Sequence, residues 1–264
     1  MVALSPALIR TLIESHYSFL SLWPGFERLE IAGATAIADR LIPGAFRNHV
    51  ANVQADPARV DSLIQRGSAE LAQRGRLPSF QLSPLDSPPD LGERLLAHGF
   101  SHRGDEGWMV SSPGVTPPPA NPAVEVGTFG PGDEEAVQAY IDCYNISFGA
   151  DPADWPAFGV SFRHAIGIAP AVHYAGRLDG QIAGVMSLFY GEGFGCIYNV
   201  GTFPQFRGQR VAATLLLRLL SDADALGCRV VYLQTLYQGR ARPLYERFGF
   251  KTLFVRARYE RSGG

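Results

Sequence analysis

Phe203-Pro204-Gln205-Phe206-Arg207-Gly208-Gln209-Arg210-Val211-Ala212-Ala213-Thr214 runs straight into an apolar segment of helical period, Leu215 to Leu226, and follows a strand-like run, Cys196-Ile197-Tyr198-Asn199-Val200-Gly201-Thr202. A strand, a short loop and then a helix gather unpaired backbone N–H groups at one point, because the first four amides of a helix have no acceptor within it. Such a point attracts anions. Gly208 permits a tight turn or a close approach of backbone to ligand, and Arg207 and Arg210 add positive charge, so the expected occupant is a phosphate or pyrophosphate. No Gly-Lys-Ser/Thr follows, and three spaced glycines are missing, so the segment is neither the nucleoside-triphosphate loop nor the dinucleotide fingerprint. Taken alone, the stretch also fits an ordinary strand–loop–helix with solvated arginines.

The order and spacing resemble the acyl-CoA-binding motif of the GNAT-type N-acetyltransferases, Arg/Gln-x-x-Gly-x-Gly/Ala. Arg207, Gly208, Gln209, Val211 and Ala212 fit it, and Arg210 stands where that family usually has its first glycine. Downstream, strand-like Arg229 to Thr235 is followed by Gln238-Gly239-Arg240-Ala241-Arg242-Pro243-Leu244-Tyr245-Glu246-Arg247-Phe248-Gly249-Phe250 and a last strand to Tyr259. This is similar to the family's Asn-x-x-Ala-x-x-Leu-Tyr-x-x-x-Gly-Phe element at Ala241, Leu244, Tyr245, Gly249 and Phe250, with Gln238 in place of the asparagine.

The resemblance implies an α/β chain of the α+β type, with a mixed, mostly antiparallel sheet flanked by helices. It implies acetyl-CoA as co-substrate, its pantetheine held by backbone groups near Val200 and Thr202 and its pyrophosphate by the amides from Arg207 through Gly208, Gln209, Arg210, Val211 and Ala212 to Ala213. Gln238 is implied as an amide partner for CoA, and Tyr245 as the proton donor to the departing thiolate. A phenol of pKa about 10 is protonated at neutral pH and needs no special environment for that task. No metal enters this scheme.

Composition agrees with a globular protein of one large domain or two ordinary ones: 264 residues, 46% apolar. A net charge of −2 lacks the basic surplus that nucleic-acid binding needs. All but one of the 23 basic residues are arginine, Lys251 being the exception, which reads as coding bias. Cys143, Cys196 and Cys228 lie in apolar runs without zinc spacing, as buried thiols of a reduced compartment do. Met1 to Leu22 has helical apolar spacing but contains Arg10, Glu14 and His16, so it reads as neither signal peptide nor membrane span. The expected location is cytoplasmic, as a monomer or a homodimer, without nucleic-acid or membrane partners.

The proline-rich stretch from Ser111 to Pro122 marks the boundary, an extended spacer with little capacity for helix or ladder. It divides the chain into 1–112, a linker at 113–121, and 122–264. The halves read as distant copies: Asn52-Val53 precedes Pro57 as Asn199-Val200 precedes Pro204, and the successions end at His98-Gly99-Phe100 and Phe248-Gly249-Phe250. In the first copy a helix follows Pro57 to about Gln73, then a strand at Ser79 to Leu82, another helix, and a strand at Trp108 to Val110. Two tandem GNAT-like domains are therefore expected. The first has Ala58-Arg59-Val60-Asp61 where the glycine loop should be, and Leu95 in the place of Tyr245, so it is expected to lack a CoA site.

In the second half, helices are expected over Gly132 to Phe148 and Asp151 to Gly167, and strands at Val124 to Phe129, Val172 to Leu178 and Ile182 to Tyr190, the last two joined by an Asp179-Gly180 turn. Acetyl transfer to an amine of pKa about 10 also needs a group to take the amine's proton. Glu192, Asp142, Tyr144, His164 and His173 are all candidates, and the residues do not choose among them. The acceptor, a small-molecule amine or a peptide, is equally open, with Tyr140, Asp142, Tyr144, Trp155 and Phe158 expected on its side. A catalytically silent acyl-CoA-binding or regulatory protein, and a purely structural tandem module, remain as alternatives because fold alone does not give function.

Overall fold

The computed structural model describes residues 5–112, 114–149, 151–168 and 170–261. Met1 to Leu4 of the N-terminal helical segment and Pro113 of the spacer lie outside the described residues. The chain forms two compact units, Met1–Trp108 with Thr235–Arg240 and Thr252–Gly264, and Met109–Gln234 with Ala241–Lys251. The units thus differ from a division at 112 and 122: residues 109–112 group with the second, and 235–240 and 252–264 with the first.

The elements of the first half are α1 (Pro6–Leu20), β1 (Phe26–Ile31), β2 (Ala34–Asp39), β3 (His49–Ala51), α2 (Val60–Ala72), β4 (Ser79–Leu82), α3 (Leu91–Ala97) and β5 (Phe100–Ser111). Those of the second are β6 (Glu125–Phe129), α4 (Glu134–Phe148), α5 (Trp155–Ile166), β7 (Ala171–Leu178), β8 (Gln181–Gly191), β9 (Phe194–Thr202), α6 (Val211–Ala225), β10 (Val230–Leu236), α7 (Arg242–Arg247) and β11 (Phe250–Arg261).

In the first unit, Ser5 caps α1 and Pro6 opens it, while Ile9, Leu12, Ile13, Tyr17 and Leu20 form its buried stripe. β1 and β2 form a hairpin whose Gly33 has φ 87, where a Cβ would lie 2.9 Å from the Gln54 carbonyl. β2 continues antiparallel to β3, β3 pairs parallel with β4 at Val50↔Phe80, and β4 pairs antiparallel with β11 from Leu82↔Ala257 to Ser79↔Glu260. Val50, Val60, Leu63, Ile64, Phe80, Leu91, Leu95 and Phe100 fill the core between this mixed sheet and its helices. A polar knot accompanies it: Arg256, 1% exposed, lies 3.1 Å from Glu106, which also accepts from the Trp108 indole at 2.8 Å.

The second unit is an antiparallel meander, β6-β7-β8-β9, with β10 parallel to β9. Asp133 caps α4 through the Ala136 amide at 3.1 Å, with Glu134 and Glu135 at the favourable end, and Gly149 ends the helix at φ 63. α6 packs on β7 and β8, and α4 on β8 and β9. Every residue from Ile182 to Phe189 is buried, the pattern of a strand covered on both faces. Met186, Leu188, Ile197, Leu215, Leu216, Leu219, Leu233 and Phe250 belong to the core. Each unit is a mixed sheet flanked by helices, the α+β arrangement. Of the cysteines, Cys143 and Cys196 are buried and Cys228 is only half-buried, so the third departs from the expected burial.

Candidate functional site

β9 is held differently on its two edges. Against β8 its register runs Gly184↔Thr202 and Val185↔Gly201, then Ser187↔Tyr198, so Asn199 and Val200 together face Met186 in a β-bulge. Asn199 carries the bulge at φ 54, a left-handed conformation that asparagine tolerates better than most residues. Against β10 the parallel pairing runs from Phe194↔Val230 to Ile197↔Leu233 and stops. Tyr198 to Thr202 have no ladder partner on that edge among the described residues, and backbone groups so exposed need one from elsewhere.

Beyond Thr202 the chain makes a 3-10 turn, Pro204–Phe206, and enters α6. The amides of Gly208, Arg210, Val211, Ala212 and Ala213 have no acceptor among the described residues, whereas Gln209 N–H donates to Phe206 at 3.4 Å and Thr214 N–H to Arg210 at 2.9 Å. Arg207 to Arg210 are exposed, and a Cβ on Gly208 would meet nothing within 4 Å. Arg207 Nε donates to the Thr202 carbonyl at 3.2 Å. Asn121 fastens the loop, its N–H donating to Thr214 Oγ1 and its Nδ2 to the Gln209 carbonyl, both at 2.9 Å. Five unsatisfied amides beside two arginines make an anion cradle that fits a pyrophosphate.

Residues 134–250 match the Acetyltransferase (GNAT) family. That segment, in the second half of the chain, is similar to the GNAT acetyltransferases. Among solved structures it is similar to a GCN5-related N-acetyltransferase from Kribbella flavida, at 16% identity and a TM-score of 0.73 over 97% of this chain and 95% of that one. It is similar to another from Sphaerobacter thermophilus, at 19% identity and a TM-score of 0.64 over 89% and 83%. A tandem GNAT protein from the clavulanic acid biosynthesis pathway aligns at 15% identity and a TM-score of 0.56 over 88% and 79%. At these identities the likeness is one of fold. No curated protein sequence matches the chain.

The position of the first glycine in the GNAT loop is held by Arg210 at φ 59 and ψ 21. Arginine here adopts glycine's conformation, at a strain of roughly 1–2 kcal/mol. The Thr214 amide and hydroxyl both bind the Arg210 carbonyl, at 2.9 and 3.0 Å, and hold it there. Val200 and Thr202 are half-buried on the open edge of β9. Tyr245, on α7, is 5% exposed and packs its ring 6.0 Å from that of Phe250. Burial pushes its pKa well up, so the hydroxyl keeps its proton. Gln238 is exposed in the turn after β10 and groups with the first unit, whereas the other predicted site residues group with the second.

The candidate bases scatter. Glu192 occupies the turn before β9 at φ 51, about 25 Å of extended strand from Val200, which separates it from the bulge. His164 is exposed on α5 and Tyr144 stacks on Phe148. His173 is buried and bonded to Ser187, and burial lowers its pKa to about 4. Asp142 lines a groove of about 640 Å³ with Glu134, Glu135, Phe203 and Phe206. Glu134 pairs with Arg163 and Glu135 with Arg177, each at 2.7 Å, while among the described residues Asp142 accepts only from Gln138, at 2.9 Å. The expected aromatic wall is partly core: Phe158 and Tyr140 are buried.

The first unit differs at the corresponding bulge. Asn52 has φ 53, but the next amide, that of Val53, already donates to the Asp86 carboxylate. Asp61 is taken up by His98 at 3.1 Å and Arg94 at 3.4 Å. Sequence reasoning missed Asn121 and Asp86. Asn121-Pro122 at the close of the proline-rich stretch is a turn signal that marks the former; Asp86 carries none.

Proposed function

We propose that the chain is an acetyl-CoA-dependent N-acetyltransferase that moves an acetyl group to a primary amine of a small-molecule or peptide acceptor. The observation that carries this reading is the parting of β9 from β10 beyond Ile197, next to a helix N-terminus with unsatisfied amides. In this reading the amides of Gly208 and Arg210 to Ala213, with Arg207 and Arg210, hold the pyrophosphate, and the open edge from Tyr198 to Thr202 receives the pantetheine arm. Acetyl-CoA supplies the acetyl group as an activated thioester. Val200 N–H faces the carbonyl oxygen, where negative charge grows as the amine nitrogen attacks.

Tyr245 serves the departing sulfur. Its pKa, raised by burial, stands above the ~8.5 of an ordinary thiol. The hydroxyl therefore stabilises the sulfur's charge through a hydrogen bond more than by giving its proton away. Asp142, the groove carboxylate without a cationic partner among the described residues, supports a cationic acceptor. The first unit shapes or supports and does not bind CoA, since Asp86 occupies its bulge amide and Leu95 replaces the tyrosine. Matching left-handed asparagines, Asn52 and Asn199, and glycines, Gly99 at φ 80 and Gly249 at φ 82, support tandem duplication of one unit.

Calorimetric titration of the full chain with acetyl-CoA tests the binding half: one equivalent per chain is expected, and none or two overturns the assignment. Thiol release against a panel of amines tests the chemistry. Binding without release under every amine would favour the silent regulatory reading.

A further inference from the structure

A buried polar chain runs through the second unit to the bulge. Tyr140 on α4, Ser187 on β8 and His173 on β7 are 1%, 0% and 3% exposed. The Tyr140 hydroxyl lies 2.7 Å from Ser187 Oγ, which lies 2.8 Å from His173 Nδ1. Asn199 Nδ2 donates to the Tyr140 hydroxyl at 2.6 Å. Rings of Phe129, Phe162 and Phe189 wall the chain. Three polar side chains in such surroundings cost free energy unless each is bonded.

Their protons can be placed. Tyr140 accepts from Asn199, so its one proton goes to Ser187 Oγ, and the Ser187 proton goes to His173 Nδ1. This assignment needs a neutral imidazole with its proton on Nε2, a buried atom with no hydrogen-bond partner among the described residues; burial keeps the ring neutral at neutral pH. The chain ends on the one residue that carries the bulge at φ 54. The orientation of the peptide between Asn199 and Val200 follows from the backbone angles of Asn199, so whatever holds Asn199 also aims the Val200 N–H.

We propose that Tyr140, backed by Ser187 and His173, is a positioning residue for acyl transfer: it holds Asn199 in the bulge and so points the Val200 amide at the thioester oxygen. The proposal rests on the acetyl-CoA reading above. A merely structural chain would change stability and leave the carbonyl's environment alone.

The test is isotope-edited infrared spectroscopy of acetyl-CoA labelled with carbon-13 at the thioester carbonyl, bound to the full chain. In the parent, the carbonyl stretch is expected at lower frequency than for free acetyl-CoA. Tyr140→Phe and Ser187→Ala are expected to return it most of the way to the free value with little change in acetyl-CoA affinity, because the loop contacts are untouched. With any amine the parent uses, kcat is expected to fall about tenfold at nearly constant KM, a fraction of the loss from deleting an oxyanion donor. Folded variants that keep the parent's shift overturn the proposal alone. Should Tyr140→Phe fail to fold by circular dichroism, Ser187→Ala decides. A parent that does not bind acetyl-CoA overturns the proposed function and this inference with it.

Discussion

Replacing Arg210 by glycine separates two properties that pull in opposite directions at the head of α6. At φ 59 and ψ 21 an L-residue is strained by roughly 1–2 kcal/mol. Glycine removes that strain but gives back roughly 0.5–1 kcal/mol through its greater freedom in the unfolded chain. Arg210→Gly is therefore expected to be more stable by about 0–1.5 kcal/mol, a rise in Tm of no more than about 5 °C for a chain of this size. The same change deletes a guanidinium assigned above to phosphate, for which an exposed charge-assisted bond implies about a five- to thirtyfold loss of acetyl-CoA affinity. Arg210→Ala is the control, because it loses the charge and keeps the left-handed demand. Scanning calorimetry and acetyl-CoA titration of the three proteins should show equal losses of affinity in both variants and a gain in stability of the glycine variant over the alanine one. A glycine variant that binds like the parent refutes the guanidinium's role. One less stable than the alanine variant by roughly 0.5–1 kcal/mol, the ordinary cost of glycine, refutes the left-handed geometry.

Gly208→Val, at φ 80 with open space around its Cβ position, should fold yet lose at least about tenfold in acetyl-CoA affinity, because the β-branched side chain resists that φ and crowds the cradle; unchanged affinity by titration would remove the loop from the binding site. Tyr245→Phe should lower turnover by about tenfold to a hundredfold, less than the ~10²–10⁴ of positioned acid catalysis because the hydroxyl acts mainly through a hydrogen bond, with acetyl-CoA binding unaltered; the check is kcat under conditions where chemistry limits. His173 is held neutral by burial, with a folded pKa of about 4 against an ordinary 6.5. Its contribution to stability is therefore complete above pH 6.5 and is lost as pH falls toward 4, amounting to about 3 kcal/mol, and buried His16 and His49 act in the same direction. Melting curves from pH 7 to 4 should be flatter for His173→Gln than for the parent, and parallel curves would contradict this.

The stretch from Cys196 to Ala225 was legible because everything it needs is local: a β-rich run, a glycine, and an apolar helical period. The α4, β7 and β8 spans were readable for the same reason. β2 was not, since Ala34-Thr35-Ala36-Ile37-Ala38-Asp39 is rich in a residue depleted from strands, yet all six residues are buried. β3 has three residues, too few for any period. At the site, Arg210 in the motif's glycine position left the loop's conformation open until its φ was seen. The link from Asn199 to His173 joins α4, β7, β8 and β9, and contacts between distant segments leave no trace in spacing. The same holds for the grouping of Thr252–Gly264 with the first unit.

That grouping has a consequence for synthesis. β4 receives β11 through Leu82↔Ala257, and Glu106 receives Arg256, so an early part of the chain completes its sheet and its buried charge pair with a strand made much later. At roughly 5–20 residues per second, the ribosome leaves that strand edge and carboxylate waiting for on the order of 10–30 s. The first unit therefore cannot reach its final form before β11 is made, and a nascent chain held short of Thr252 should expose the edge of β4 to chaperones or to other chains. A stop codon placed just before Thr252 would injure the unit built mainly from residues 1–108.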